Sequence, residues 1–96
     1  MKPTTIAAIK KISVPIMKRN GVVAAGIFGS AARKQLKKNS DIDFLIKFKR
    51  GRNLLDLVRL KHQLEDKLKR DVDLVTYRSI HHRLKDKVLK EEIKIL

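Results

Sequence analysis

Residues 22–48 read VVAAGIFGSAARKQLKKNSDIDFLIKF, and this stretch decides the fold. Its first run, residues 22–28, is apolar without alternation, which is typical of a strand buried on both faces. Gly29 and Ser30 end that run, and residues 30–36 are predicted as a short helix. The second run, residues 41–48, predicts another strand that opens with Asp41-Ile42-Asp43. The sequence therefore predicts two strands joined through a glycine-serine turn and a short basic helix.

The flanking sequence predicts three more helices and a third strand. Isoleucines spaced three and four apart favour a helix over residues 4–19, with Pro15 kinking or restarting it near Val14. Asn53 and Asp56 predict a capped helix start, with the helix running to about Lys69. Residues 72–76 predict the third strand, and residues 79–94 the last helix. The expected fold is a single α/β domain over residues 1–96, a short mixed sheet in the order α-β-α-β-α-β-α.

Composition narrows the classes of function. Lys and Arg number 24 against 10 Asp and Glu, a net charge of +14, which favours either a solvated basic surface or a polyanionic partner. The aromatic residues fall mainly in apolar runs, so a nucleic-acid partner is possible but a base-stacking, single-strand binder is not favoured. The absence of Cys excludes disulfides and thiol catalysis and fits the cytoplasm, and no segment is long and apolar enough to predict a membrane span.

Two carboxylates are predicted to share one face of the second strand. Asp41 and Asp43 lie two residues apart, so their side chains point the same way, while Ile42 and Phe44 point into the core. Such close like charges repel unless a cation lies between them, and Mg²⁺ prefers carboxylate oxygens. Asp73, on the third strand, is placed to supply a third carboxylate, although its apolar neighbours would make an unpaired charge there costly.

The glycine-serine turn predicts an anion-binding site. Gly29 lets the backbone approach a phosphate closely, and Ser30 adds a hydroxyl donor at the start of a helix. Arg33, one turn later, is placed either to face the same anion or to pair with an acidic neighbour. An ordinary helix-start turn would explain Gly29 and Ser30 alone, but it does not explain the paired carboxylates that follow.

Gly29-Ser30-Ala31-Ala32-Arg33 followed by Ser40-Asp41-Ile42-Asp43-Phe44 resembles the signature of the minimal nucleotidyltransferases, the smallest members of the DNA polymerase β-like superfamily. Many members have glycine directly after the arginine, whereas this chain has Lys34. The resemblance implies that Gly29 and Ser30 hold the β- and γ-phosphates of ATP. It also implies that Asp41, Asp43 and Asp73 bind two Mg²⁺ ions and that Asp73 helps to deprotonate the acceptor hydroxyl.

The resemblance also implies a partner. Stand-alone minimal nucleotidyltransferases resemble the antitoxin half of toxin–antitoxin pairs, in which a tyrosine of a HEPN-domain ribonuclease receives AMP from ATP. The chain is short for an acceptor-binding domain of its own, so we expect the acceptor to be held by a second polypeptide, in a hetero-complex or a homo-oligomer. Two alternatives remain open, a non-catalytic module that occludes its partner and a nucleotidyltransferase acting on RNA or a small molecule.

Two further features carry open interpretations. Tyr77 is expected to be half-buried packing, with self-modification as the alternative. The basic turn over residues 47–52 is equally consistent with a solvated edge and with a grip on phosphate or RNA.

Overall fold

The computed structural model describes residues 5–29, 31–32, 41–80 and 82–96. Within these ranges the chain forms three helices and four strands, which confirms the predicted α/β class. They are α1 (Ile6–Arg19), β1 (Val22–Phe28), β2 (Ile42–Phe48), α2 (Leu54–Leu68), β3 (Val72–Thr76), α3 (His82–Glu91) and β4 (Ile93–Lys94). The predicted helix over residues 30–36 falls largely outside the described residues, and Ala31 and Ala32 lie in a turn.

The sheet is mixed, with the strand order β3-β2-β1-β4. β2 pairs with β1 in antiparallel fashion and with β3 in parallel, and β4 pairs with the outer side of β1. The prediction that residues 79–94 form one helix is wrong at its end, because Ile93 and Lys94 form β4. The backbone of the last residues continues this pairing, since the N–H of Ile95 donates to the carbonyl of Ala25 at 3.0 Å.

The core lies between one face of the sheet and the helices α1 and α2. Alternate β2 residues Ile42, Phe44 and Ile46 are fully buried there, together with Ile9 of α1 and Leu64 of α2. The expectation that β1 is buried on both faces is wrong in part, because Val23 is 54% exposed in a β-bulge between Val22 and Ala24. The opposite face of the sheet, which carries Asp43, is called the site face below.

Helix α1 is continuous across Pro15, so the predicted restart near Val14 does not occur. Proline has no N–H for the carbonyl of Lys11 and crowds it, which normally breaks a helix. Both residues are exposed, so water can bond to that carbonyl and reduce the cost. The helix ends at the predicted place, with Asn20 as its C-cap and Gly21 at φ +81°.

Helix α2 begins with the predicted cap. The Asn53 side chain accepts hydrogen bonds from the N–H groups of Leu55 and Asp56, and the Asp56 carboxylate accepts one from the N–H of Asn53 at 2.9 Å. This reciprocal capping box satisfies donors that a helix start leaves free. The bond from the Asn53 N–H is the main reason that the pKa of Asp56 lies below its ordinary value. None of the helices in the described ranges is long and apolar enough to cross a membrane.

Replacing Asn53 tests the cap. Asn53→Ala should lower the free energy of unfolding by about 1 kcal/mol, because the side-chain acceptor at the N-cap is lost. Asn53→Ser keeps an acceptor and should stay within a few tenths of a kcal/mol of the wild type. Urea denaturation followed by circular dichroism measures both values. Equal losses in the two variants would show that the cap does not stabilise the helix.

Candidate active site

Asp43 and Asp73 lie directly opposite each other on neighbouring strands. The parallel register of β2 and β3 pairs Ile42 with Val72 and Asp43 with Asp73. Residues paired in this way project to the same face of a sheet, and adjacent strands are about 4.8 Å apart. Both carboxylates therefore share the site face, at the end of the sheet where β2 and β3 begin.

Asp41 comes directly before β2, two residues ahead of Asp43, and is exposed. The alternation of an extended chain directs it to the site face as well. Asp43 is half-buried, and Asp73 is exposed on an edge strand. Asp73 therefore avoids the cost that its apolar neighbours would impose on a buried, unpaired charge. As an exposed carboxylate, Asp73 keeps its hydration until a ligand arrives.

The turn after β1 lies against Asp43. Phe28, the last residue of β1, is the register partner of Asp43, and Gly29 follows it with φ +71°. A Cβ atom at Gly29 would overlap the Oδ2 atom of Asp43. Glycine is thus required twice, for its backbone conformation and for the space that the carboxylate occupies. This close approach was not predicted, because the sequence does not indicate which side chain faces the turn.

Hydrogen bonds at the start of the strands hold the register. The N–H of Ile42 donates to the carbonyl of Asp71 at 3.0 Å, and the N–H of Val72 donates to the Glu65 carboxylate at 2.9 Å. Lys69 is the C-cap of α2 in the left-handed conformation with φ 56°, and the N–H of Lys69 donates to the carbonyl of Glu65. Glu65 therefore ties the end of α2 to the start of β3, which positions Asp73.

A second polar contact crosses the same face beside the carboxylates. The Tyr77 hydroxyl donates to the Glu92 carboxylate, which lies over Gly26 where any side chain would collide with it. Gly26 is the register partner of Leu45, two residues along β2 from Asp43. The predicted half-burial of Tyr77 is confirmed. The sequence prediction missed Glu92 by placing it in a helix, although the alternation of Ile93, Lys94 and Ile95 could have indicated a strand.

The donor set fits magnesium in its chemistry. Asp41, Asp43 and Asp73 offer only carboxylate oxygens, and one or two such groups typically hold Mg²⁺ together with phosphate oxygens. The structure brings them to one end of one face but does not draw them together. In the described part of the chain, no three His, Cys, Asp or Glu side chains form a group that could hold a metal ion. Ser30 and Arg33 lie outside the described residues, so their phosphate contacts stay predictions.

Comparison with known proteins places this geometry in a family. Residues 10–96 match the model of the family described as polymerase beta, nucleotidyltransferase. The chain belongs to this nucleotidyltransferase family. It is 50% identical to MJ0435 of Methanocaldococcus jannaschii, named as a candidate protein adenylyltransferase, over 95% of this chain and 98% of the relative.

Solved structures share the fold. A candidate minimal nucleotidyltransferase superposes with a TM-score of 0.83 at 40% identity, covering 97% of this chain and 95% of that one. A toxin–antitoxin structure with AMP-PNP superposes with a TM-score of 0.79 at 24% identity, covering 91% of this chain and 72% of that one. The resemblance predicted from Gly29 to Phe44 is therefore confirmed at the level of family and fold.

Replacing Gly29 tests the contact between the turn and Asp43. Gly29→Ala should lower the free energy of unfolding by about 1–2 kcal/mol, because alanine is strained at this positive φ. It should also weaken Mg²⁺-dependent ATP binding, because the new methyl group displaces the Asp43 carboxylate. Gly51→Ala is a matched control, since Gly51 has φ +88° and open space around its Cβ position. It should lose similar stability and keep ATP binding. Isothermal titration calorimetry measures binding, and equal ATP affinity in both variants would contradict the contact.

The single tyrosine makes the Tyr77–Glu92 contact measurable. Burial and the hydrogen bond to the Glu92 carboxylate raise the pKa of Tyr77 above its ordinary value of 10.0. The folded protein then holds this proton more tightly than the unfolded chain does, so the free energy of unfolding should fall as pH rises above about 10. Absorbance of the phenolate should show a lower pKa in Glu92→Gln, with no change in Asp86→Asn. An unchanged pKa in Glu92→Gln would refute the contact.

Proposed function

We propose that this nucleotidyltransferase moves AMP from ATP to a hydroxyl group of a partner protein, a tyrosine of a HEPN-domain ribonuclease toxin, and so acts as an antitoxin. The observation that carries the proposal is the register that sets Asp43 opposite Asp73 on the site face, with the Gly29 turn against Asp43. Carboxylates on neighbouring strands beside a tight glycine turn can serve a metal–triphosphate complex from two sides.

Three similarities support the choice of acceptor. The family is one of nucleotidyltransferases, and a relative that shares half of its residues with this chain is named as a candidate protein adenylyltransferase. A structure with the same fold is a toxin–antitoxin complex with AMP-PNP, an ATP analogue. The HEPN domain and the tyrosine come from the resemblance of the Gly29–Phe44 motif to the minimal nucleotidyltransferases.

Asp41 and Asp43 would hold Mg²⁺, with Asp73 completing a second metal site. When bound, the ions neutralise the triphosphate and stabilise charge on the attacking and leaving oxygens. Gly29 gives the triphosphate close access to the backbone, because no side chain separates the turn from Asp43. The half-buried position of Asp43 fixes its carboxylate better than a fully solvated position would.

Asp73 is the residue best placed to receive the acceptor's proton. It is exposed on the outermost strand, so a hydroxyl group of another protein can reach it. In the proposed step, the hydroxyl oxygen forms a bond to the α-phosphorus while the bond from that phosphorus to the bridging oxygen of the β-phosphate breaks. The proton passes to the Asp73 carboxylate, pyrophosphate leaves, and the acceptor retains the AMP.

The proposal predicts that transfer depends on Asp43. Asp43→Asn removes a negative ligand and should lower the rate of AMP transfer at least about 100-fold. Asp66→Asn is the matched control, because it removes the same charge from an exposed position on α2 and should leave the rate unchanged. Mass spectrometry of a co-purified HEPN-domain protein, incubated with ATP and Mg²⁺, measures the adenylyl group. If the wild type modifies no such protein, the proposed function is wrong.

A further inference from the structure

A cationic groove lies at the other end of the sheet from the carboxylates. It has a volume of about 860 Å³ and is formed where β2 and β3 end. None of the described residues that line it is acidic. Its basic side chains come from three separate segments: Lys47, Lys49, Arg50, Arg52, Arg78 and Lys85. The basic turn noted in the sequence is therefore one wall of a concave surface, not an isolated edge.

One cation of the groove is held in place by its surroundings. The Arg52 guanidinium rests on Gly21, whose missing side chain leaves it room, and its Nη1 atom lies 3.4 Å from the Asp56 carboxylate. Asp56 is itself fixed by the capping box of α2. A charged group that is already ordered loses less entropy when it binds a ligand than a free side chain does.

An exposed apolar patch follows the basic turn of the groove along the chain. Leu54, Leu55 and Val58 are 71%, 73% and 43% exposed on the first turns of α2, directly after the basic turn. Their spacing puts them side by side on the helix surface. Neighbouring exposed leucines next to charged groups are typical of a surface that contacts another protein, in which an apolar centre is bordered by polar residues.

We propose that this groove and the leucine patch dock an acidic, leucine-containing segment of the protein that receives AMP. The inference rests on the proposed function, since a protein acceptor needs a binding surface and the described residues build no second lobe for one. A protein segment fits better than nucleic acid, because phosphates gain nothing from exposed leucines. The two aromatic residues of the groove, Phe48 and Tyr77, are half-buried and so poorly placed for base stacking.

One partner can reach both sites. Phe48 lies five positions after Asp43 on β2, a distance of roughly 17 Å along a strand. A helix of 20 residues spans about 30 Å, so a small helical domain could dock in the groove and still present a hydroxyl group to Asp73. Docking away from the reacting atoms would lower the KM for the acceptor without entering the chemical step.

The test uses two probes and a charge-matched pair of variants. The first probe is a fluorescein-labelled 12-residue peptide of glutamate and leucine, roughly three helical turns, and the second is a labelled single-stranded oligouridylate. The groove variant carries Lys49→Gln, Arg50→Gln and Arg78→Gln. The control carries Lys10→Gln, Lys11→Gln and Lys18→Gln, exposed positions on α1 that lose the same charge. Fluorescence anisotropy measures binding, and circular dichroism verifies that both variants are folded.

We expect the groove variant to bind the peptide at least about tenfold more weakly than the wild type, and the control to stay within about twofold. Leu54→Ala with Leu55→Ala should weaken binding of the leucine-containing peptide and not of an all-glutamate peptide. Equal losses in the groove variant and the control would overturn the inference, since they would indicate general charge attraction. So would tighter binding of oligouridylate that depends on the same three groove residues, because it would assign the groove to nucleic acid.

Separate measurement of AMP transfer distinguishes this inference from the proposed function. If transfer occurs and its KM for the acceptor is the same in the groove variant and the control, docking is refuted and the function stands. A KM raised at least about tenfold in the groove variant, with unchanged kcat, supports docking. If the groove binds the acidic peptide but no protein is adenylylated, the function fails while the assignment of an acidic segment to the groove is supported.

Discussion

The parallel pairing of β2 with β3 is the constraint on which the candidate site depends. A shift of one residue in this register would turn Asp73 away from the site face and separate it from Asp43. The register is held at its start, where Asp71 accepts from the N–H of Ile42 and Glu65 accepts from that of Val72. Two residues outside the site thereby determine which carboxylates can act together.

One face of β2 stabilises the fold, and the other face carries part of the candidate site. Ile42, Phe44 and Ile46 anchor the strand in the core, so Asp43, which alternates with them, is held at a defined position at the edge of the packed interior. The carboxylate is half-buried there. The glycine turn limits that burial by bringing backbone, and not an apolar side chain, against the carboxylate.

Local signals in the sequence predicted the local elements well. β1 and β3 have the predicted bounds, and the Asn53 cap is where its side-chain chemistry requires it. The sequence also predicted that Asp41 and Asp43 share a face, because alternation along a strand is a local property. These features depend on residues only a few positions apart in the sequence. Periodicity and capping patterns predict structure at that range.

The error at the end of the chain and the features that the sequence did not predict share a different cause, which is contact between distant segments. β4 forms because β1 offers a free edge to the end of the chain, and helical periodicity contains no information about that edge. The exposure of Asp73 follows from the place of β3 at the outside of the sheet, which its own apolar residues do not reveal. The approach of Gly29 to Asp43 likewise requires the turn and β2 to be placed together in space.

The net charge of +14 is likewise ambiguous in the sequence, because its meaning depends on where the fold places the charges. The positions of lysines and arginines along the sequence do not indicate which surface of the protein is positively charged. The fold gathers six of them around one groove, and the three candidate carboxylates lie at the opposite end of β2 and β3. A protein with this polarity orients an oppositely charged partner before contact, since fields act over about 8–10 Å at physiological salt. The charges at the two ends of the sheet therefore orient an approaching partner relative to the site, which the charges at one end alone would not do.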